Sequence, residues 1–291
     1  MAVSGASPLT GTYGGVVGRM RLIQHKKEAY WFYSVVSRLY DQYVNPLFWT
    51  TQMRDQVLDL AQLDRPGLRI LDVGAGTGFT TEGIAAQAPD ARITMLDQSP
   101  HQLARSRRRR ALEGIPRRIG DAEELPFEDE SFDRWVSAGS IEYWPEPQRA
   151  LLEAHRVLAA GGTAVLIGPL RPEHPLARRL ADAWMLFPEE REYRQWMERA
   201  GFVDLRARIL PAPWDPDGQG RYVMALAGTR SAQAPIAVLG APAERRDEPM
   251  TLERRLRFGG RFVIGSLAGA AFVPLGAALT ARAKLRRRGA R

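Results

Sequence analysis

Residues 69–81 read RILDVGAGTGFTT. The first five, RILDV, form a short apolar run with two β-branched members, as expected of a buried strand. The next five, GAGTG at 74–78, place three glycines where the chain must turn sharply, and residues 79–88 resume as a helix. Glycine removes Cβ atoms, so the turn can be tight and the backbone can approach a ligand closely. The N–H groups at the start of the following helix then face polar or negative ligand groups. The spacing is G-x-G-x-G, one residue tighter at its end than the G-x-G-x-x-G of dinucleotide sites.

Outward from this unit, strand and helix alternate. RITMLD at 92–97 predicts a second strand, and Ser99–Pro100 supplies an N-cap followed by a first helical residue. A third short strand falls near 115–119 and a fourth at FDRWVSA, 132–138. A helix from about Pro147 to Leu158, a Gly161–Gly162 turn and a fifth strand TAVLIGP follow. Helices within 171–200 are inserted before two closing strands near 202–210 and 221–227. The alternation predicts an α/β, doubly wound, mostly parallel seven-stranded sheet of Rossmann-like type over residues 61–230.

The flanks differ in character. Residues 1–20 are Gly-, Ser-, Thr- and Ala-rich and read as a flexible start without the charge and apolar-core pattern of a signal peptide. Residues 21–60 read as an aromatic helical cap. Residues 231–261 read as a linker and 282–291 as a basic tail. The 20 residues 262–281 carry no charge, which predicts a membrane helix and a single-pass protein with its catalytic domain on the cytoplasmic (or stromal) side. Gly265 and Gly269 in that segment have the spacing of a close helix contact.

The net charge of +8 is uneven. Residues 251–291 hold ten Lys or Arg and one acid, so the other 250 residues are close to neutral. A tail of that kind suits an anionic lipid surface. The arginines of 105–110 belong to a helix face, so no nucleic-acid partner is expected. There is no cysteine and there are four histidines without ligand spacing, so neither a thiol nucleophile nor a metal site is expected.

Two acids extend the glycine turn into a candidate site. Asp97 closes the second strand nineteen residues after Gly78, where a carboxylate can accept both hydroxyls of a ribose. Asp121 follows the third strand at the same sheet edge. Residue chemistry alone leaves any adenosine-bearing ligand open, NAD included.

LDVGAGTGFTT, TMLDQS, GDAEELPF and VLAAGG resemble the successive motifs of class I S-adenosylmethionine-dependent methyltransferases. Where that family often has Lys-Pro before the last Gly pair, this chain has Ala159–Ala160. The resemblance implies S-adenosylmethionine as cofactor. Gly74, Gly76 and Gly78 would surround its methionine part, Asp97 would hold the ribose, and Asp121 would approach the adenine amine. Asp72, Gln98 and Ala122, within these motifs, and Ser137, near the end of the fourth strand, complete the implied set.

IQHKKEAYWFY, LDQSPHQL, SAGSIEYWPEPQ and ADAWMLFPEEREY further resemble the plant-type 2-methyl-6-prenyl-1,4-benzoquinol methyltransferases of plastoquinone and tocopherol synthesis. The likeness spans roughly residues 22–211 and again the tail, where family members also carry a C-terminal hydrophobic segment, and it weakens over APWDPDGQGRY at 212–222. It implies a membrane-dissolved prenylated benzoquinol as acceptor, methylated on a ring carbon. Demethylmenaquinol, a sterol-like alkene and a non-catalytic cofactor-binding role are the alternatives.

A quinol activates its own ring carbon as its hydroxyl loses a proton, so the chemistry needs one base and walls for an apolar tail. His25 and Glu142 are the candidate bases. Tyr33, Tyr40, Asp41, Tyr143, Trp144, Trp184 and Phe187 are the candidate acceptor contacts.

Overall fold

The computed structural model describes residues 22–24, 26–28, 49–213, 215, 220–239 and 250–288. In chain order the elements are α1 (Thr51–Leu58), β1 (Arg69–Val73), α2 (Phe79–Gln87), β2 (Arg92–Asp97), α3 (Pro100–Ser106), β3 (Arg117–Ile119) and β4 (Phe132–Ala138). They continue with α4 (Pro147–Val157), β5 (Leu158–Pro169), α5 (Pro175–Trp184), α6 (Glu190–Arg199), β6 (Phe202–Leu210), β7 (Val223–Arg230) and α7 (Leu252–Arg288).

The strands form one seven-stranded sheet of order β3-β2-β1-β4-β5-β7-β6. The first five are parallel, and β7 runs antiparallel to both β5 and β6. Alternation along the strands sorts the side chains. Leu71, Trp135, Ala164, Leu166 and Leu226 pack on one face with α4 and α6. Their neighbours Ile70, Val136, Val165, Ile167, Ala225 and Ala227 pack on the other with α1. Because β2 and β4 flank β1 on opposite sides, the chain leaves β1 at a switch point, where a crevice opens at the carboxyl ends of the strands.

Local chemistry explains several boundaries. Ser99 caps α3, its side chain accepting from the Gln102 N–H, and Pro100 takes the first turn. A reciprocal capping box between Glu189 and Glu192 starts α6. The Gly161–Gly162 turn is a correction: β5 already begins at Leu158, and the glycines lie in an irregularity between the pairings Phe132–Leu158 and Arg134–Thr163. Gly161, at φ +72°, supplies the bend without breaking the strand.

The expected C-terminal membrane helix is also corrected. Among the described residues, no helix is long and apolar enough to cross a membrane. Residues 262–281 instead belong to the 37-residue α7, which starts ten residues earlier and lies against α5. Ala268 and Phe272 are buried with Ala177, Ala181, Trp184 and Leu22. The glycines set this contact. A Cβ on Gly265 would come within 2.5 Å of Leu22, and one on Gly269 within 2.8 Å of Trp184. The uncharged stretch is therefore covered on one side by protein, and the single-pass expectation fails with it.

Candidate functional site

The crevice is lined by the loop after β1, the ends of β2, β4 and β5, and side chains from Lys26, Trp184 and Phe272. Counting the open solvent at its mouth, its empty space is about 1550 Å³, and it runs from the glycine loop to the aromatic side chains of Trp184, Phe187 and Phe272.

The glycine loop forms one end. Gly74, Gly76 and Gly78 have φ of +70°, +53° and +86°, a region that side chains disfavour. A Cβ on Gly74 would sit 2.4 Å from Ser140 Cβ, so that glycine permits packing behind the loop. A Cβ on Gly76 would meet only its own turn at 3.9 Å, and Gly76 lines the crevice, so its bare backbone leaves room for a ligand. Gly78 precedes α2 and faces Leu112 rather than the crevice.

Asp97 is held from two sides. The Gly76 N–H donates to Oδ2 at 2.9 Å and the Ser99 N–H to Oδ1 at 2.8 Å. These bonds fix the carboxylate at the crevice wall. Gln98, Asp121 and Ala122 line the same wall. Asp72 and Ser137 do not line it. Asp72 is buried and accepts from Thr81 Oγ1 at 2.5 Å; burial raises its pKa to about 7. Ser137 donates to the Val73 carbonyl at 2.7 Å and lies 2.5 Å from Ser140 Oγ. Both brace the loop from beneath.

Glu142 sits in a short 3₁₀ turn, Ile141–Tyr143, directly after β4. It lines the crevice, and its Oε2 has no hydrogen-bond partner among the described residues. Burial raises its pKa to about 7, opposed by a bond to its own backbone N–H. Tyr143 and Trp144 line the crevice beside it. Beyond them Trp184, Phe187 and Phe272 form an aromatic cluster with ring centroids 5.6–6.0 Å apart. His25, Tyr33, Tyr40 and Asp41 lie outside the described residues.

Lys26, Glu123 and Phe272 are among the lining residues that escaped the sequence reading. Lys26 reaches Asp121 Oδ2 at 2.6 Å and Glu123 Oε2 at 3.1 Å, although the second contact is an ion pair without hydrogen-bond alignment. Glu123 could have been suspected from its place in GDAEELPF, and Lys26 from its place beside His25. Phe272 gave no local signal, because its relevance depends on where α7 docks.

Comparison with known proteins agrees with this geometry. Residues 71–166 match a family model described as a methyltransferase domain. The rice chloroplastic 2-methyl-6-phytyl-1,4-hydroquinone methyltransferase 1 is 45% identical over 278 residues, covering 94% of this chain and 80% of that protein. The ubiquinone/menaquinone biosynthesis C-methyltransferase UbiE of Brucella abortus is 30% identical over 174 residues, covering 49% of this chain and 65% of that protein. Among solved structures, the [4+2]-cyclase SpnF matches with a TM-score of 0.59 at 20% identity, covering 74% of this chain and 99% of that one, a likeness of fold alone. The glycine loop, the paired acids and this extensive identity together show that the chain belongs to the S-adenosylmethionine-dependent methyltransferase family of the chloroplastic 2-methyl-6-phytyl-1,4-hydroquinone methyltransferases.

Proposed function

We propose that the protein methylates a ring carbon of a 2-methyl-6-prenyl-1,4-benzoquinol, as in plastoquinone- and tocopherol-type prenylquinone synthesis. The observation that carries this reading is the joining, in one crevice, of the glycine loop, the buried Glu142 and an aromatic-lined extension. Identity to the benzoquinol enzymes across nearly the whole chain supports the benzoquinol over a naphthoquinol, since the ubiquinone/menaquinone relative aligns with only half of it.

S-adenosylmethionine, when bound, supplies a methyl group on a positively charged sulfur. The Gly74–Gly76 backbone bounds its amino-acid end, Asp97 accepts from the ribose hydroxyls, and Asp121, with Gln98 and Ala122 beside it, receives the adenine. At the acceptor end Tyr143 and Trp144 flank the quinol ring, while Trp184, Phe187 and Phe272 enclose the prenyl tail and exclude water.

Glu142 is the base of this reading. A phenolic hydroxyl has a pKa of about 10, and a carboxylate titrating at about 7 does not remove that proton outright. Proton transfer to Glu142 would therefore accompany attack: as the hydroxyl gives up its proton, electron density moves into the ring carbon that takes the methyl group. The hydrogen on that ring carbon then leaves as a proton, the oxygen regains one, and one proton is released overall.

An anionic lipid surface enters as a surface contact. Leu256, Val263, Ile264 and Leu267 are exposed on α7, with Arg255 and Arg257 exposed nearby. This face suits the membrane from which a prenylated acceptor would be drawn.

The acceptor test incubates purified full-length protein and labelled S-adenosylmethionine with reduced and oxidised prenyl benzoquinones and naphthoquinones, locating the new methyl group by NMR. Ring methylation of the reduced benzoquinol, and not of its quinone, is the expected result. Turnover of the naphthoquinol without benzoquinol product would overturn the assignment.

A further inference from the structure

Lys26 belongs to a short described segment that touches three parts of the molecule. At one end the Leu22 N–H donates to the Trp184 carbonyl at 3.1 Å, and Leu22 packs where Gly265 of α7 leaves room. At the other end Glu28, fully buried, pairs with Arg261 of α7 and accepts from the Gln24 N–H at 2.8 Å. Between them the Lys26 ammonium enters the crevice and contacts Asp121 and Glu123, its side chain only 4% exposed.

The electrostatics favour a fixed ammonium. Burial alone would lower the Lys26 pKa, but the charges of Glu123 and Asp121 outweigh it and the pKa is raised. Glu123 is itself lifted above the usual carboxylate range by burial, against the pull of Lys26. Two carboxylates face one ammonium, so removing Lys26 would leave buried like charges side by side. Asp121 has Lys26 on Oδ2 and the Glu123 N–H on Oδ1 at 2.9 Å. Each oxygen still has a lone pair for a ligand amine.

We propose that Lys26 is a positioning residue that couples cofactor occupancy to docking of α7, and hence to closure of the acceptor pocket. Filling the Asp121 side of the crevice holds Lys26 in place. The segment that carries Lys26 then holds Arg261 through Glu28, and the Trp184 backbone through Leu22. Phe272 and Trp184, which wall the acceptor end, are the residues this linkage assembles. By thermodynamic reciprocity, loosening the α7 end must weaken cofactor binding.

The inference rests on the cofactor assignment above and not on the identity of the acceptor. Its test is a double-mutant cycle in the full-length protein, read by calorimetric titration with S-adenosylhomocysteine. Lys26→Met should weaken binding by about tenfold or more, in line with loss of a buried charge partner, while Lys26→Arg should retain most of it. Arg261→Ala, whose partners are Glu28 and the Leu22 carbonyl, should weaken binding by about fivefold, at the low end of allosteric couplings. The double variant should bind no worse than Lys26→Met alone.

Hydrogen exchange supplies a second readout. Amides of 258–272 should slow when S-adenosylhomocysteine binds the wild type and should not respond in Lys26→Met. Unchanged affinity in Arg261→Ala, or losses that multiply in the double variant, would overturn the coupling. If Lys26→Met does not fold, Arg261→Ala is judged alone: about fivefold weaker S-adenosylhomocysteine binding upholds the coupling and unchanged affinity overturns it. A wild type that does not bind S-adenosylhomocysteine would instead remove the cofactor reading itself.

Discussion

Replacing Glu142 by Gln removes one ionisable group from the buried end of the crevice and should make the protein more stable as it becomes inactive. Burial lifts this carboxyl from 4.5 to about 7. One pKa unit corresponds to about 1.4 kcal/mol, so the shift amounts to about 3 kcal/mol. Its sign follows from proton counting. Between pH 4.5 and 7 the folded protein retains a proton that the unfolded chain has lost, so stability falls as pH rises through that window and levels off above it.

Asp72 and Glu123 are likewise raised by burial, but they are present in both proteins and drop out of the difference. Glutamine cannot ionise, so the stability of Glu142→Gln relative to wild type should improve by about 3 kcal/mol between pH 4.5 and pH 8. Any constant cost of burying the amide adds an offset without pH dependence. Urea unfolding of both proteins across that range measures the difference. Turnover supplies the other half: wild-type kcat/KM should fall tenfold per pH unit below about 7, and the variant should lose roughly 10²–10⁴-fold of it, as for other general bases. A stability difference independent of pH would refute the buried-acid reasoning. Wild-type turnover in a folded variant would refute the assignment of Glu142 as base.

The glycine loop separates packing from ligand contact. Gly74→Ala adds positive-φ strain and a clash with Ser140 and should cost about 2–5 kcal/mol in unfolding experiments, whereas Gly76→Ala should cost only about 1–2 kcal/mol yet weaken S-adenosylhomocysteine binding. The reverse order of stabilities would show that the two glycines have been assigned the wrong roles. For the exposed α7 face, the full-length protein should float with anionic vesicles more than with neutral ones, and high salt should reduce the difference; equal recovery from both would exclude an electrostatic lipid contact.

These tests divide along a boundary between what was locally legible and what was not. The β1–loop–α2 unit could be read because its determinants lie within thirteen consecutive residues: an apolar run, three glycines and a helix start. Asp97 and Asp121 could be read because parallel strands deliver their carboxyl ends to one edge. Glu142 shares that logic, following β4 at the same edge. Strand alternation also separated the two faces of the sheet, since Ile70 and Leu71, or Val165 and Leu166, serve opposite cores. The Gly161–Gly162 pair was misread because glycine marks a bulge and a turn with the same letter.

The end of the crevice proposed for the acceptor follows a different logic, because its walls are assembled over long separations. Leu22 meets Arg261 of α7 across 239 positions, and α7 packs against α5. Hydropathy along residues 262–281 records that the segment avoids water on some face, without recording whether lipid or protein covers it. The glycines held the missing information. Each of two residues four apart would clash with a different bulky side chain if it carried a Cβ: Gly265 with Leu22, and Gly269 with Trp184. Such spacing marks a helix face fitted to a particular surface. Here that surface continues into the aromatic cluster of Trp184, Phe187 and Phe272, at the end of the crevice proposed for the acceptor. The cofactor half is thus set by contiguous motifs. The half proposed for the acceptor is set by how a distant helix packs, so substitutions along α7 should alter which lipophilic acceptor fits while leaving the glycine loop unchanged.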